Sequence, residues 1–255
     1  MKLLFLNPNT SAALTEMGAK IARAVARPET EVLAATGRFG ARYLSTRAST
    51  TIAAHAVLDT YAREGQGADV VVIACFGDPG LFALRELAAV PVVGMAEASC
   101  HLASTLGRKF SIVTGGRAWG PMLEEFVATI GLSANLASVR TIERTGADIA
   151  AGPEDALGEL TDACRSAVAE DGAEAVILGG LGLAGLAERI AGDVPVPLID
   201  NVVAAVRVAE AAATLGIKKA RSGSFAATEP IKTLGLSSQL AALLEGRGKA
   251  ASAGC

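Results

Sequence analysis

VVVIACFGDPGL, at residues 70–81, is the stretch that indicates the fold of this chain. A run of β-branched residues leads into Ala74 and Cys75, and the chain then turns through Gly77 and Asp78. A continuous apolar run that ends at glycine and proline is typical of a strand buried on both faces, as in a parallel sheet. Ligands bind beyond the carboxyl ends of such strands. Cys75 stands at that end, so we predict that it is a catalytic thiol.

Short apolar segments alternate with segments of helical periodicity along the rest of the chain. This alternation predicts an α/β fold with parallel sheets. The predicted strands cover residues 2–6, 31–35, 70–74, 90–93, 109–113, 137–141, 175–178 and 196–199. Residues 36–47 are rich in glycine and arginine and are predicted to form a long surface loop, a kind of segment that often carries function.

The composition is that of a globular protein. The chain has 255 residues, of which 51% are hydrophobic, enough for two ordinary cores or one large α/β domain. The formal net charge of −3, without a strongly basic face, argues against nucleic acid as a partner. No apolar run approaches the ~18–20 residues of a membrane span, and the first apolar run is too short for a signal peptide. Four dispersed cysteines without a CxxC pair favour a reduced cytoplasmic enzyme over a disulfide or zinc scaffold.

The two halves of the chain resemble each other. Cys75 aligns with Gly180, and PGL at 79–81 aligns with AGL at 184–186 at the same offset. We therefore predict two pseudo-symmetric, Rossmann-like lobes with parallel sheets, facing each other across a cleft that holds the active site. The predicted first lobe comprises residues 1–97 and about 207–245, the second comprises 98–206, and 246–255 form a disordered tail.

The motifs resemble those of the aspartate/glutamate racemase superfamily, in its hydantoin racemase and allantoin racemase branch. The resemblance is carried by LNPNTS at 6–11, VVIACFGDPGL at 71–81, PVVGMAEASCHLAS at 91–104, FSIVT at 110–114, AVILGGLGLAGL at 175–186 and PLIDNV at 197–202. It implies a cofactor-independent enzyme, commonly a homo-oligomer, that acts on a small hydantoin, amino-acid derivative or related carbonyl acid.

The resemblance also implies a mechanism with two cysteines, one per lobe, as opposed acid and base at a carbon next to a carbonyl. Cys75 matches the first cysteine, but Gly180 stands where the second is expected. A thiol removes a proton only as thiolate, so we expect the site to lower its ordinary pKa of about 8.5. Backbone N–H groups of the strand-end loops are expected to stabilise the enolate that forms.

The residues predicted to contact substrate lie in the loops that follow the strands of both lobes. They are Asn7, Thr10, Phe76, Gly77, Asp78, Thr114, Gly115, Gly179, Gly180 and Leu181. No metal site is predicted. Cys100 and Cys164 lie within helical segments and are predicted to belong to the core.

Gly180 leaves three interpretations open. In the first, the chain is a hydantoin-type racemase or isomerase whose second acid/base lies elsewhere, at His101, a tyrosine or a bound water. In the second, it performs one-thiol chemistry, as a decarboxylase or lyase related to arylmalonate decarboxylase. In the third, it is a non-catalytic protein that binds a small ligand.

Overall fold

The computed structural model describes residues 1–216, 219–226 and 229–247. Eight strands are present in this part of the chain, close to the eight predicted positions. They are β1 (Lys2–Asn7), β2 (Glu31–Thr36), β3 (Val70–Ile73), β4 (Val92–Gly94), β5 (Phe110–Gly115), β6 (Leu136–Ile142), β7 (Ala175–Gly179) and β8 (Leu198–Asp200). They form two four-stranded sheets, in the orders β2-β1-β3-β4 and β6-β5-β7-β8. All six neighbouring pairs are parallel, which confirms the predicted α/β fold with two lobes.

Helices follow most of the strands. They are α1 (Ala12–Val25), α2 (Arg47–Glu64), α3 (Leu81–Leu87), α4 (Met95–Leu106), α5 (Trp119–Thr129), α6 (Gly146–Ala151), α7 (Leu157–Asp171), α8 (Ala187–Ile190), α9 (Asn201–Thr214) and α10 (Ser238–Leu244). We call the first sheet with α1–α3 lobe one, and the second sheet with α5–α8 lobe two.

Two local predictions differ from the structure. The sequence did not indicate α6, which begins at a capping box between Thr145 and Asp148. The helix expected over 184–191 shortens to α8, because Gly185 has a positive φ of 81° that ends the preceding turn. Both differences lie in lobe two, and α6 helps to line the candidate active site described below.

Alternate residues of the strands serve different cores. In β1, Leu3 and Phe5 belong to a central core that both sheets share, whereas Leu4 and Leu6 pack with Val57 of α2 in a core peripheral to lobe one. The strand period of two therefore gives each sheet one inner and one outer apolar face. Burial of both faces explains the uninterrupted apolar runs in the sequence.

Two helices cross between the lobes. Helix α4 follows β4 of lobe one but packs mainly on the sheet of lobe two, against β7. Helix α9 follows β8 of lobe two but packs mainly on the sheet of lobe one, against β3. The two helices also pack on each other. Each sheet thus has its inner face covered by a helix that continues from the other sheet.

The C-terminal part of the described chain returns to lobe one. Helix α10 packs against α2, and the Ser237 hydroxyl donates a hydrogen bond to the Asp59 carboxylate. The predicted tail at 246–255 falls mostly on residues 248–255, which lie outside the described residues. Within the described part, no helix combines the length and apolar character that crossing a membrane would require.

Asp78 connects the loop after β3 to the crossing helix α4. Its two carboxylate oxygens accept hydrogen bonds from the N–H groups of Ala96 and Glu97, at 2.9 and 2.8 Å. These N–H groups belong to the first turn of α4, where no helical carbonyl can accept them. Gly94 permits this approach, since a Cβ there would lie 2.1 Å from a carboxylate oxygen. Asp78 is only 4% exposed, and its φ of 47° is strained for a residue other than glycine.

We predict that Asp78→Ala lowers the free energy of unfolding by about 2–3 kcal/mol, because two buried N–H groups lose their acceptor. Urea denaturation of both proteins measures the difference. Asp162→Ala, at an exposed position on α7, is the matched control and should change stability by less than about 0.5 kcal/mol. Equal effects of the two substitutions would contradict a structural role for Asp78.

Candidate active site

A cavity lies where the carboxyl ends of the two sheets face each other. It is small, with about 50 Å³ open to a water-sized molecule, and it is partly open to solvent. Its lining residues are Asn9, Leu14, Tyr43, Leu44, Ala74, Cys75, Phe76, Thr114, Gly115, Trp119, Gly146, Gly180, Leu181, Gly182 and Leu183. Both lobes therefore contribute strand-end loops to one site.

The structure brings six of the predicted site residues together at this cavity. They are Cys75, Phe76, Thr114, Gly115, Gly180 and Leu181. Lobe one contributes the first two, and lobe two contributes the other four. The strand register explains why the lobe-two residues lie close together. Thr114 of β5 pairs with Gly179 of β7, and the chain continues from both strand ends into the cavity.

Asn7 and Thr10 lie outside the lining and support the residues that form it. The Asn7 amide donates to the Asn9 Oδ1 atom at 2.9 Å, and the Ser11 N–H donates to the same oxygen at 2.8 Å. With its oxygen engaged twice, Asn9 has its NH₂ group available at the cavity. Thr10 donates its N–H to the carbonyl of Ala41 at 3.1 Å and so holds the loop at 37–46.

Gly77, Asp78 and Gly179 also lie behind the lining. A Cβ at Gly77 would be 2.9 Å from the ring of Trp119, and a Cβ at Gly179 would be 2.6 Å from the ring of Phe76. Both glycines therefore let an aromatic ring approach the backbone closely. Asp78 is used as the cap of α4, so its carboxylate is committed to backbone N–H groups.

The loop at 37–46 forms one side of the cavity, and none of its residues was predicted to contact substrate. Tyr43 donates its hydroxyl proton to the carbonyl of Gly115 at 3.3 Å and accepts the N–H of Gly146 at 3.2 Å. Trp119 donates its Nε1–H to the carbonyl of Leu44 at 3.1 Å. These bonds tie a lobe-one loop to lobe two. The glycine- and arginine-rich composition of 36–47 was the available signal for this role.

Asn9, Gly146 and Gly182 are further lining residues that sequence reasoning missed. A Cβ at Gly182 would lie 1.9 Å from the carbonyl oxygen of Gly146, so only glycine permits this contact between α6 and the loop after β7. Nothing in the sequence around either glycine indicates that the two lie in contact. Asn9 stands in the NPNT motif, two residues after Asn7, which was predicted to contact substrate.

Cys75 is held at the cavity in a buried position, 8% exposed. Burial raises the pKa of its thiol well above the ordinary value, and the nearby Asp78 carboxylate raises that pKa further. The expectation that the site lowers this pKa is therefore wrong for the unliganded protein. Burial also raises the pKa of Asp78, to about 7, despite its two backbone hydrogen bonds. Cys75 accordingly rests as a neutral thiol.

A raised thiol pKa predicts the pH dependence of Cys75 alkylation. Only the thiolate reacts, and below the pKa its fraction rises about tenfold per pH unit. The rate with iodoacetamide, followed by mass spectrometry of the Cys75 peptide, should rise in this way from pH 7 to 9 without a plateau. Cys100 and Cys164, which are fully buried core residues as predicted, serve as unlabelled controls. A plateau below pH 8 would contradict the raised pKa.

Gly180 has a backbone conformation that a side chain would strain. Its φ is 128° and its ψ is 137°, a region that is nearly exclusive to glycine. Asn201 donates hydrogen bonds from its side-chain amide to the carbonyls of Leu178 and Gly180, and these bonds fix the loop after β7. A built Cβ would meet Leu183 at 3.3 Å and Thr114 at 3.6 Å. The position is therefore adapted to glycine, and a cysteine here would require a different local backbone.

We predict that Gly180→Ala costs about 1–3 kcal/mol of stability, because alanine must adopt the strained φ. Gly158→Ala is the matched control, since Gly158 lies in α7 with open space around it. The control should be neutral or up to about 1 kcal/mol stabilising. Urea denaturation measures both. Similar effects of the two substitutions would mean that the backbone at position 180 is not restrictive.

The described residues contain no group of three or more His, Cys, Asp or Glu side chains placed to bind a metal ion. Of the described residues that line the cavity, two carry titratable side chains, namely Cys75 and Tyr43. His101 lies on α4 as an exposed residue outside the lining. The site can therefore offer a thiol, a phenol, neutral donors and backbone N–H groups to a ligand.

The structure is that of a two-lobe α/β protein with a cysteine thiol at the cleft between its parallel sheets. The profile described as Asp/Glu/Hydantoin racemase matches residues 3–209, so the chain belongs to that family, as the sequence motifs predicted. It is 36% identical to a hydantoin racemase of Pseudomonas sp. (strain NS671), over 88% of this chain and 91% of the relative. The crystal structure of allantoin racemase from Pseudomonas fluorescens is 36% identical, with a TM-score of 0.89 over 92% of this chain and 100% of that one. These relatives indicate a racemase enzyme.

Arylmalonate decarboxylase shares the fold at a greater distance. Its crystal structure has a TM-score of 0.60 and 18% identity, over 85% of this chain and 94% of that one. Identity at this level establishes common architecture only.

Proposed function

We propose that the protein is a cofactor-independent racemase of hydantoin-type rings, in which Cys75 transfers a proton at the ring carbon between a carbonyl and a nitrogen. The observation that carries the proposal is the position of Cys75, at a strand end of lobe one, facing the strand ends of lobe two across the cavity. Such a placement brings one face of a bound ring within reach of the thiol.

A neutral ring is the substrate class that the cavity suits best. The lining side chains are apolar or neutral and polar, and the nearby ion pair between Arg85 and Glu97 lies outside the lining. A free amino acid or a malonate would bring a carboxylate into this surrounding, and burying an unpaired charge is costly. A cyclic ureide brings carbonyl and N–H groups, which neutral partners can satisfy.

Donors for the substrate carbonyl are available on both sides of the cavity. The NH₂ group of Asn9 and the hydroxyl of Thr114 have no hydrogen-bond partner among the described residues. The same holds for the backbone N–H groups of Cys75, Phe76 and Gly180. Donors that are fixed before reaction stabilise the negative charge that develops on an enolate oxygen.

The raised pKa of Cys75 has two opposing effects on proton removal. It lowers the fraction of reactive thiolate at neutral pH, and it makes each thiolate a stronger base. A hydrogen on carbon is weakly acidic, so a base of higher pKa matches it more closely. A neutral ring, unlike a carboxylate substrate, brings no additional negative charge next to the thiol when it binds.

We predict that Cys75→Ser lowers racemisation of alkyl-substituted hydantoins by at least about 100-fold, the usual range for loss of an acid/base group. Polarimetry follows the racemisation, and NMR in D₂O follows exchange of the ring-carbon hydrogen, each corrected for the reaction without enzyme. Cys164→Ala is the matched control, because Cys164 lies in the core of lobe two away from the cavity.

The outcomes of this experiment separate the alternatives. Racemisation by the wild-type protein that persists in Cys75→Ser would overturn the role of Cys75. Carbon dioxide release from an arylmalonate without hydantoin racemisation would favour the decarboxylase. Ligand binding without exchange or carbon dioxide release would favour a binding protein.

Several predictions from the sequence remain predictions beside this proposal. They are the independence from cofactors, the cytoplasmic location, the homo-oligomeric state and the exclusion of nucleic acid. The division of the chain into lobes at residues 97 and 206, with a further lobe-one segment at about 207–245, also remains a prediction.

A further inference from the structure

Tyr43 is the titratable residue of the cavity that the proposed reaction leaves unused. It lies in the lobe-one loop at 37–46, but both partners of its hydroxyl, Gly115 and Gly146, belong to lobe two. The loop thus carries a lobe-one phenol across the cleft. Its side chain is partly exposed towards the cavity, where a bound ring would lie.

The hydroxyl of Tyr43 lies on the lobe-two side of the cavity, at the end of β5, and is more than 4 Å from where a Cβ on Gly180 would stand. A Cβ built on Gly116, directly after β5, would be 3.2 Å from the Tyr43 hydroxyl oxygen. Strand β5 is hydrogen-bonded to β7, which leads into Gly180. The phenol therefore occupies the strand-end side of lobe two, while the Cys75 thiol occupies the strand-end side of lobe one.

We propose that Tyr43 is the second proton-transfer residue, acting on the face of the ring carbon opposite Cys75. This inference rests on the proposed function. His101, the other side chain that the sequence suggested, fits less well because it is exposed on α4 and lies outside the cavity lining.

The proton balance of the proposed reaction closes without a further reactant. In one direction, the Cys75 thiolate takes the hydrogen from the ring carbon, and the resulting enolate takes the Tyr43 proton on its other face. The products are the opposite enantiomer, a thiol and a phenolate. Proton exchange with water then restores the starting protonation, and the reverse direction uses phenolate and thiol. Burial raises the pKa of the Tyr43 phenol, and the hydrogen bond from the N–H of Gly146 to the phenol oxygen offsets part of that rise.

The test is Tyr43→Phe, assayed with each enantiomer of an alkyl-substituted hydantoin in D₂O. We expect inversion to fall by at least about 100-fold for both enantiomers. The enantiomer whose hydrogen faces Cys75 should still exchange it for deuterium with retention, and the other enantiomer should lose exchange. This asymmetry distinguishes proton transfer from a looser loop, which would reduce exchange of both enantiomers alike.

Tyr61→Phe is the matched control, because Tyr61 lies on α2 away from the cavity and is the other tyrosine of the chain. Inversion by Tyr43→Phe at the wild-type rate, or equal loss of exchange for both enantiomers, would overturn the role of Tyr43 and leave the proposed function standing. Absence of exchange in the wild-type protein would instead refute the proposed function.

A second measurement applies should Tyr43→Phe not fold. Fluorotyrosine incorporated into the Tyr61→Phe background labels Tyr43 alone and lowers the pKa of its phenol without removing the hydroxyl. The high-pH limit of inversion should then move to lower pH. An unchanged pH profile would overturn the proposal.

Discussion

The two hydrogen bonds that the Asp78 carboxylate accepts from the first turn of α4 connect the candidate active site to the rest of the fold. They join the loop after β3, which presents Cys75, to the helix that crosses into lobe two. The same carboxylate raises the pKa of the thiol. One buried side chain therefore fixes the loop that carries Cys75 and adds to the rise in thiol pKa that burial causes. The strained φ of Asp78 indicates how firmly the surrounding structure fixes this loop.

The crossing helices hold the base of the cleft together. Helices α4 and α9 bury the inner faces of both sheets in one central core, so the strand ends cannot separate without exposing apolar surface. At the rim, the loop at 37–46 joins lobe two through the hydrogen bond from Trp119 to Leu44, and both side chains are buried in the same central core.

The strand pattern was readable because burial on both faces leaves a strong signal in the sequence. The runs at 70–73 and 175–179 contain no charged residue and lead directly to Cys75 and Gly180. Tyr43 and Gly146 were not readable as a pair, since their hydrogen bond joins residues 103 positions apart in segments without periodicity. The direction of the Cys75 pKa shift also escaped prediction, because it depends on how completely the folded chain excludes water and on where the Asp78 carboxylate points. Family motifs pointed to the strand-end residues Cys75 and Gly180, and tertiary contacts determine the surroundings of each.

The exchange of α4 and α9 makes each half of the chain depend on the other. A half-length chain that ended after its fourth strand and the next helix would keep α1 or α5 on the inner face of its sheet but would lack the helix that packs there from the other half. Two copies could cover both faces only by trading their last helices, as the two halves of this chain do. The architecture therefore has the geometry of a domain-swapped dimer within one polypeptide. Its two halves are free to differ at equivalent strand ends, as Cys75 and Gly180 do.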